Sequence, residues 1–215
     1  MNTLPGRIPP VYPIIDTASL ETRGVAVEAF ASALLDGGAR ILQFRHKRSF
    51  DATAFETARR LSALCAEAGA EFIVNDRADV ARLLGAGVHV GQEDLAPADA
   101  RNVVGSAMVG YSTHNEAQLA AGDREPVDYL AVGPVFGTGS KENPDPVLGL
   151  DRLLALRRLT ARPLVAIGGI TLENAGAALD TGVDSVAVIS GLFPPDLSPA
   201  ATRARMEEWI RLTRK

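Results

Sequence analysis

The chain alternates short apolar runs with longer segments in which apolar residues recur at helical spacing. Most of the short runs are near-continuous Val, Ile, Leu and Ala, a pattern typical of strands that are buried on both faces. They predict strands at 11–15, 39–44, 71–74, 87–90, 107–111, 128–132, 163–167 and 185–189. The segments between them predict helices at 25–35, 52–67, 79–84, 97–103, 115–121, 150–159, 172–179 and 198–212.

This alternation predicts an α/β fold with right-handed crossovers and a parallel sheet. Eight strand–helix units within 215 residues fit a (β/α)₈ TIM barrel, with residues 1–215 forming a single domain. A flavodoxin-like sheet would need only five or six such units. Length alone would also allow two small domains. The number of units therefore favours the barrel.

Composition and charge narrow the classes of partner. The net charge is −4 and the pI is near 5.4, so there is no general basic field to attract nucleic acid or an anionic membrane. No apolar run approaches the length of a membrane helix, and residues 1–10 carry Pro and Gly where a signal peptide needs an apolar stretch. We therefore expect a cytoplasmic protein. Its one cysteine, Cys65, lies among apolar residues at helical spacing, which indicates a packed thiol rather than a nucleophile.

Two acidic residues follow two neighbouring predicted strands. Asp76 comes just after the apolar run at 72–74, and Asp94 follows the run at 88–90. In a barrel, the carboxyl ends of the strands meet at one face, and the active site lies there. Paired carboxylates at that face are suitable ligands for a Mg²⁺ that also contacts a substrate phosphate.

Cationic and polar residues occur at the same predicted face. Gln43, Arg45 and Lys47 share one side of an extended segment, so they are expected to point together towards the site. An alternative is that the basic residues form only a solvated turn. Other polar residues in corresponding positions are Asn75, Ser112, Thr113, His114, Thr138, Ser140 and Lys141.

A second anion site is predicted after the seventh and eighth strands. Gly168 and Gly169 lack side chains, so their backbone can approach an anion closely, and Ser190 and Gly191 follow the neighbouring strand. Loops in this position of a barrel often bind a phosphate group. A glycine pair is also common in ordinary turns, so the paired position is what favours phosphate.

Seven motifs together resemble the thiamine phosphate synthase family. They run in order between residues 11 and 192: QFRHK at 43–47, VNDR at 74–77, GVHVGQED at 87–94, YSTH at 111–114, GPVF at 133–136, AIGGI at 166–170 and VIS at 188–190. The resemblance implies a transferase of thiamine biosynthesis. Such an enzyme joins 4-amino-5-hydroxymethyl-2-methylpyrimidine diphosphate to a thiazole phosphate, giving thiamine phosphate and diphosphate. It also implies a homodimer.

The resemblance implies roles for individual residues. The pyrimidine diphosphate site would comprise Gln43, Phe44, Arg45, His46, Lys47, Asn75, Ser112 and Lys141, with Arg45, Lys47, Ser112 and Lys141 acting in catalysis. The thiazole phosphate site would comprise Thr138, Gly139, Ser140, Gly169, Ile189 and Ser190. Asp76 and Asp94 would bind Mg²⁺. The family's reaction is dissociative and needs no protein nucleophile.

The sequence departs from the family pattern at two places. His46 stands where an acidic residue is common, and the loop at 136–141 carries glycines and Ser140 where proline and a second threonine are frequent. Two histidines need separate interpretation. His89 lies within an apolar strand and is expected to be structural, as is usual for such a position, while His114 lies beyond the fifth strand and has no clear role.

Two other functions are compatible with the same residues. One is a thiazole tautomerase, a related barrel in which His114 would act as an acid–base group. The other is a non-catalytic protein that binds thiazole phosphate or thiamine phosphate. The joint presence of Arg45, Lys47, Asp76, Asp94 and Lys141 favours the coupling reaction over both.

Overall fold

Parallel strands close into a barrel in the computed structural model, which describes residues 8–137 and 146–213. The strands are β1 (Val11–Asp16), β2 (Ile41–Arg45), β3 (Glu71–Asn75), β4 (Gly87–Val90), β5 (Val109–Thr113), β6 (Tyr129–Val132), β7 (Leu164–Ile167) and β8 (Ser185–Val188). Their order around the barrel follows the chain, and β1 pairs with β8 to close the ring. The predicted (β/α)₈ barrel is confirmed.

Helices cover the outside of the barrel between consecutive strands. They are α1 (Thr17–Thr22), α2 (Val27–Asp36), α3 (Ala52–Glu67), α4 (Ala78–Leu84), α5 (Pro97–Val104), α6 (Glu116–Gly122), α7 (Gly149–Arg157), α8 (Ala175–Asp180) and α9 (Pro199–Thr213). One turn of 3₁₀ helix, Ser190–Leu192, follows β8. Every helix in the described part of the chain is too short or too polar to span a lipid bilayer.

Most predicted bounds agree with these elements to within a few residues, but α1 was not predicted. It is only six residues long and buries one of them, Leu20, so it has no apolar repeat for a sequence pattern to reveal. Asp16 starts it by accepting a hydrogen bond from the backbone N–H of Ser19 at 2.9 Å. The first strand accordingly ends at Asp16 rather than at Ile15.

Side chains of the strands alternate between two apolar layers. Those that point outwards join the helices in the larger core, which includes Phe44, Val74 and Val88. Cys65 lies in this core, and burial raises the pKa of its thiol to about 12, which agrees with the expected packed thiol. The inward-pointing side chains fill the barrel and, with Ile8 before β1, form a second cluster: Tyr12, Ile14, Ile41, Ile73, Tyr129, Ala131, Val165 and Ala187.

Tyr129 crosses the barrel interior because β5 carries a glycine beside it. A Cβ atom added at Gly110 would lie 2.0 Å from Cζ of Tyr129 and 2.3 Å from its hydroxyl oxygen. The hydroxyl groups of Tyr129 and Tyr12 meet at 2.8 Å, and both side chains are fully buried. The missing side chain at Gly110 is therefore what admits a polar ring to the centre of the barrel.

We expect Gly110→Ala to lower the free energy of unfolding by about 1–3 kcal/mol, because the added methyl group displaces the Tyr129 ring from a packed interior. Urea unfolding measures this change. The matched control is Gly176→Ala in α8, where an added Cβ meets no atom within 4 Å and alanine favours the helix. Equal stability of the two variants would contradict this account of the barrel interior.

Candidate active site

Within the described ranges, the predicted polar residues lie together at the carboxyl ends of the strands. Asp16 pairs in register with Arg45 at the ends of β1 and β2, and Asn75 pairs with His89 between β3 and β4. Because all strands are parallel, these ends form one face of the barrel. The structure thus brings the charged side chains of separate chain segments into a single region.

Asp76 and Asp94 face each other beside a lysine. The carboxylate of Asp76 accepts a hydrogen bond from Nζ of Lys47 at 2.6 Å. Burial raises the pKa of Asp76; the hydrogen bond from Lys47 opposes this rise, and the neighbouring Asp94 carboxylate adds to it. The backbone N–H of Gly91 donates to Asp94 at 2.7 Å and fixes its orientation. Two carboxylates are thus held close together, and one of them is paired with a half-exposed lysine.

Asp76 has an uncommon backbone conformation. Its φ is +64°, and no other non-glycine residue in the described ranges has a positive φ. Aspartate is among the residues that tolerate this region best, although it still costs about 1–3 kcal/mol. The N–H of Asp76 donates to the carbonyl of His89 at 2.8 Å, which ties the end of β3 to β4. This conformation turns the Asp76 side chain towards the neighbouring strand end.

The carboxylate oxygens at this face suit a divalent cation only if a bound substrate supplies further oxygen ligands. Among the residues that the structure describes, no three His, Cys, Asp or Glu side chains lie close enough together to hold a metal ion. Magnesium commonly uses one or two carboxylates and takes its other oxygens from water and substrate phosphates. The closeness of Asp76 and Asp94, together with the raised pKa of Asp76, fits that kind of site.

Arg45 is held by Asp16, a residue that the sequence interpretation missed. The guanidinium group of Arg45 donates to one carboxylate oxygen of Asp16, and Ser19 donates to the other from its backbone and its hydroxyl group. Burial alone would raise the pKa of Asp16, but the hydrogen bonds from Ser19 and Arg45 together hold it below its usual value. The signal in the sequence was an aspartate three residues before a serine, which is typical of a helix start.

Asn75 contributes a buried amide group at the end of β3. Its side-chain nitrogen has no hydrogen-bond partner among the described residues. Leaving such a donor unpaired in a protein interior costs about 1–3 kcal/mol, so an orphaned donor of this kind commonly belongs to a binding site. The position of this amide next to Asp76 makes it available to a ligand of the same face.

A line of hydrogen bonds runs beneath the charged residues. Nε2 of Gln43 contacts the Tyr12 hydroxyl at 3.0 Å, and that hydroxyl contacts the one of Tyr129. Nδ1 of His89 contacts the Tyr129 hydroxyl at 2.9 Å, and Nε2 contacts Oγ of Ser112 at 2.8 Å. We call these five residues the barrel chain. His89 is therefore structural, as expected, but it also links the interior to a predicted site residue.

Burial sets the protonation of the barrel chain. It raises the pKa of Tyr12 and of Tyr129, so both phenols remain protonated. It lowers the pKa of His89 to about 4; the nearby Asp94 opposes this shift and Lys47 adds to it. At neutral pH the histidine therefore carries one proton on its ring, as the buried position requires.

Two predicted site residues point away from the face. Phe44 packs in the core between barrel and helices, and its ring stacks on that of His46 with centroids 6.1 Å apart. Nδ1 of His46 contacts Oγ1 of Thr17 at 2.9 Å, so its ring is turned towards α1. Because neighbouring residues of a strand point to opposite sides, only the backbone of these two residues can meet a ligand between Gln43 and Lys47.

In the glycine-rich turn after β7, the backbone packs so closely against neighbouring atoms that side chains would not fit. Gly168 and Gly169 have φ values of +97° and +65°, and a Cβ at Gly169 would lie 2.4 Å from the carbonyl oxygen of Gly137. The Asn174 amide fixes the turn by donating to the Gly169 carbonyl at 2.9 Å. Ile189 is half-buried after β8, and the exposed Ser190 begins the 3₁₀ turn. Thr138, Gly139, Ser140 and Lys141 lie outside the described residues.

His114 is anchored to the backbone of the next strand end. Its Nδ1 donates to the carbonyl oxygen of Gly133 at 2.8 Å, since a carbonyl can only accept. The Gln118 side chain accepts from the N–H of His114 at 2.7 Å. Through these contacts, His114 supports the turn after β5.

Comparison with known proteins identifies the family. A family model described as thiamine monophosphate synthase matches residues 11–192. The chain belongs to the thiamine monophosphate synthase family. The family resemblance predicted from the seven motifs is confirmed, and with it the assignment to enzymes that make thiamine phosphate.

Individual members of the thiamine monophosphate synthase family align over most of their length. A thiamine-phosphate synthase of Koribacter versatilis is 50% identical over 192 residues, which cover 87% of this chain and 90% of the relative. One of Chloroflexus aurantiacus is 40% identical over 183 residues, covering 85% of each chain. The solved thiamine phosphate pyrophosphorylase of Pyrococcus furiosus is 30% identical with a TM-score of 0.82 and covers 95% of each chain.

The buried neutral His89 makes a prediction about stability and pH. The unfolded chain protonates a histidine near pH 6.5, while the folded protein resists protonation until about pH 4. The unfolded state therefore binds more protons in this window, so stability falls as the pH drops from 6.5 towards 4, by at most about 3 kcal/mol from this group.

Urea unfolding between pH 7.5 and pH 4.5 tests this prediction in the wild type and in His89→Gln. We expect the variant to lose stability less steeply across the window, whatever its stability at pH 7.5. Parallel curves for the two proteins would contradict the assignment of a buried neutral imidazole.

Proposed function

We propose that this family member joins 4-amino-5-hydroxymethyl-2-methylpyrimidine diphosphate to hydroxyethylthiazole phosphate or its carboxylated form, giving thiamine phosphate and diphosphate. The observation that carries the proposal is the meeting of Asp76 and Asp94 with Lys47 on one face of the barrel. Such a set of opposite charges matches a diphosphate that arrives with a divalent cation. The family membership supports the same reaction.

In this proposal, Asp76 and Asp94 are the residues that would hold Mg²⁺ at the diphosphate subsite. When bound, the ion neutralises the charge that develops on the departing diphosphate. Lys47 donates to Asp76, so it would exchange this carboxylate for a diphosphate oxygen when the substrate binds. Arg45 already has its guanidinium group fixed by Asp16 and therefore reaches the diphosphate with little loss of side-chain freedom.

The pyrimidine ring binds deeper, between β2, β3 and β5. Gln43 is buried on β2, the unpaired amide of Asn75 ends β3, and Ser112 lies near the end of β5. Among the predicted residues of this subsite, Phe44 and His46 contribute through their backbone, and Lys141 is assigned to it by the family resemblance. These polar groups fit a flat heterocycle with several nitrogen atoms, because amide and hydroxyl groups can both donate and accept hydrogen bonds.

The thiazole phosphate binds at the other side of the face. The turn at Gly168 and Gly169 and the backbone at Ile189 and Ser190 offer close approach without side-chain bulk. Thr138, Gly139 and Ser140 complete this subsite in the proposal. Two separate anion subsites are what a reaction between two phosphorylated substrates requires.

The bond changes follow from this arrangement. The C–O bond between the pyrimidine methylene and the diphosphate breaks, and its electron pair leaves with the diphosphate. The aminopyrimidine ring stabilises the resulting cation, and the lone pair of the thiazole nitrogen then forms the new C–N bond. Arg45, Lys47 and Lys141 stabilise the departing charge, so the step needs no protein nucleophile.

The direct test is incubation of the folded protein with both substrates and Mg²⁺, followed by quantification of thiamine phosphate and diphosphate in equal amounts. Addition of a chelator should abolish the reaction. Absence of thiamine phosphate would contradict the proposal. Interconversion of thiazole phosphate tautomers without coupling would instead assign the tautomerase function.

We expect Asp94→Asn to reduce Mg²⁺-dependent turnover by about 100-fold while the affinity for thiazole phosphate stays near that of the wild type, because only the metal subsite loses a charge. Steady-state kinetics and calorimetric titration measure the two quantities. The matched control is Asp99→Asn, which removes an exposed carboxylate from the first turn of α5. Turnover that is equal in both variants would exclude the metal role.

We expect Gly169→Ala to weaken thiazole phosphate binding by at least about tenfold, because the methyl group meets the Gly137 carbonyl and alanine disfavours a φ of +65°. Binding of the pyrimidine diphosphate should change much less. Calorimetry with each substrate gives both affinities, and Gly176→Ala serves as a control for the substitution itself. Equal losses for the two substrates would show that the subsite is assigned wrongly or that the variant is misfolded.

A further inference from the structure

The barrel chain has a direction that can be worked out from its hydrogen-bonding groups. At one end, the side-chain nitrogen of Gln43 can only donate, so the Tyr12 oxygen accepts from it. The Tyr12 hydroxyl then uses its own proton towards Tyr129. Tyr129 in turn has its proton free for Nδ1 of His89. Each group accepts from one neighbour and donates to the next.

The same reasoning fixes the tautomer of His89. A neutral imidazole carries a proton on one nitrogen only, and Nδ1 is already the acceptor of the Tyr129 proton. The proton of the ring therefore lies on Nε2 and is donated to Oγ of Ser112 at 2.8 Å. The Ser112 hydroxyl accepts from His89, so its own proton points to another group.

The opposite direction would have a different consequence. If the oxygen of the Gln43 amide faced Tyr12, every proton would reverse, and Ser112 would donate to a bare Nε2 of His89. Ser112 would then present only an acceptor to a ligand. The two directions thus differ in one property at the active-site face, namely whether Ser112 gives or receives the hydrogen bond.

We propose that the barrel chain presets Ser112 as a hydrogen-bond donor towards the substrate, with Tyr12, Tyr129 and His89 as positioning residues. The proton positions follow from the placement of the Gln43 amide nitrogen beside the Tyr12 hydroxyl. The identity of the ligand rests on the proposed function: Ser112 donates to an acceptor of the pyrimidine diphosphate, such as a ring nitrogen or a phosphate oxygen, and not to its amino group.

Burial keeps the arrangement in place. Tyr12 and Tyr129 are each 1% exposed and His89 is 8% exposed, so water does not compete readily for these bonds. A second proton on the ring would force Nδ1 to donate to Tyr129, so the proposed direction requires a neutral imidazole. Desolvated polar chains of this kind are costly to interrupt, so a single arrangement is maintained.

The first experiment reads the tautomer directly. Histidine labelled with ¹⁵N distinguishes a protonated ring nitrogen from an unprotonated one, and the signal of His89, one of three histidines, is assigned through His89→Gln. We expect the unliganded protein to show a protonated Nε2 and an unprotonated Nδ1 at pH 7.5. A proton on Nδ1 would overturn the proposal, and no activity is needed for this measurement.

The second experiment tests whether Tyr129 acts through Ser112. Tyr129→Phe removes the donor to His89 Nδ1 and should lower kcat/KM for the pyrimidine diphosphate by about tenfold, with a mixture of His89 tautomers in the ¹⁵N spectrum. In the Ser112→Ala background the same substitution should have an effect of less than about twofold. If Tyr129→Phe lowers kcat/KM just as strongly in the Ser112→Ala background, Tyr129 has a merely structural role.

The matched control is Tyr111→Phe on β5. It removes the same hydroxyl group from the strand that carries Ser112, but its ring packs against the core between barrel and helices rather than in the barrel interior. We expect it to leave the His89 tautomer and kcat/KM near those of the wild type. A shift of the tautomer in this control equal to that in Tyr129→Phe would contradict a path through the barrel chain.

The two proposals fail in different ways. If the wild type makes no thiamine phosphate, the proposed function is wrong, but the tautomer of His89 can still be measured. If thiamine phosphate forms and Nδ1 carries the proton, the function holds and the proposed direction of the barrel chain is wrong.

Discussion

Closure of the parallel barrel is the constraint on which the other features depend. Because β1 pairs with β8, every strand has two neighbours, and alternate side chains are committed either to the helix-facing core or to the interior. The interior is apolar along most of its length and becomes polar where the strands end. Charged groups that are distant in the chain, such as Asp16 and Asp76, reach a common face for this reason.

The charges of that face are paired within the protein itself. Asp16 holds Arg45, and Asp76 holds Lys47. The two pairs differ in burial: Arg45 and Asp16 are largely enclosed, whereas half of the Lys47 side chain is exposed. An exposed ion pair contributes little stability and can exchange partners at low cost, while an enclosed one fixes geometry. In the proposed reaction, Arg45 is therefore a fixed group and Lys47 is a group that moves onto the diphosphate.

Much of the fold and part of the site could be predicted from sequence, because both depend on local patterns. Continuous apolar runs marked the strands, and Asp76 and Asp94 were identified from their positions just after such runs. Asp16 was missed because it ends an apolar run and starts a helix too short to have a repeat. Phe44 and His46 were included as parts of a motif, but the alternation of β2 turns their side chains to the helix side.

The barrel chain was beyond the reach of sequence patterns. Tyr12 and Tyr129 are 117 residues apart, and their contact depends on the space left by Gly110 on a third strand. His89 was expected to be structural from its apolar surroundings, which is correct, but its partners follow only from distances across the closed barrel. Periodicity shows which side of a strand a residue faces, and it does not show what lies opposite.

The central claim is that a divalent cation binds at the Asp76 and Asp94 carboxylates together with a diphosphate, and that Lys47 then moves from Asp76 to the diphosphate. Anomalous diffraction from crystals grown with Mn²⁺ and inorganic diphosphate tests it most directly, since Mn²⁺ has the same preference for oxygen ligands. The account predicts one anomalous peak between the Asp76 and Asp94 carboxylates, with Nζ of Lys47 on a diphosphate oxygen. A diphosphate bound elsewhere, with Lys47 still on Asp76 and no metal between the two carboxylates, would contradict it.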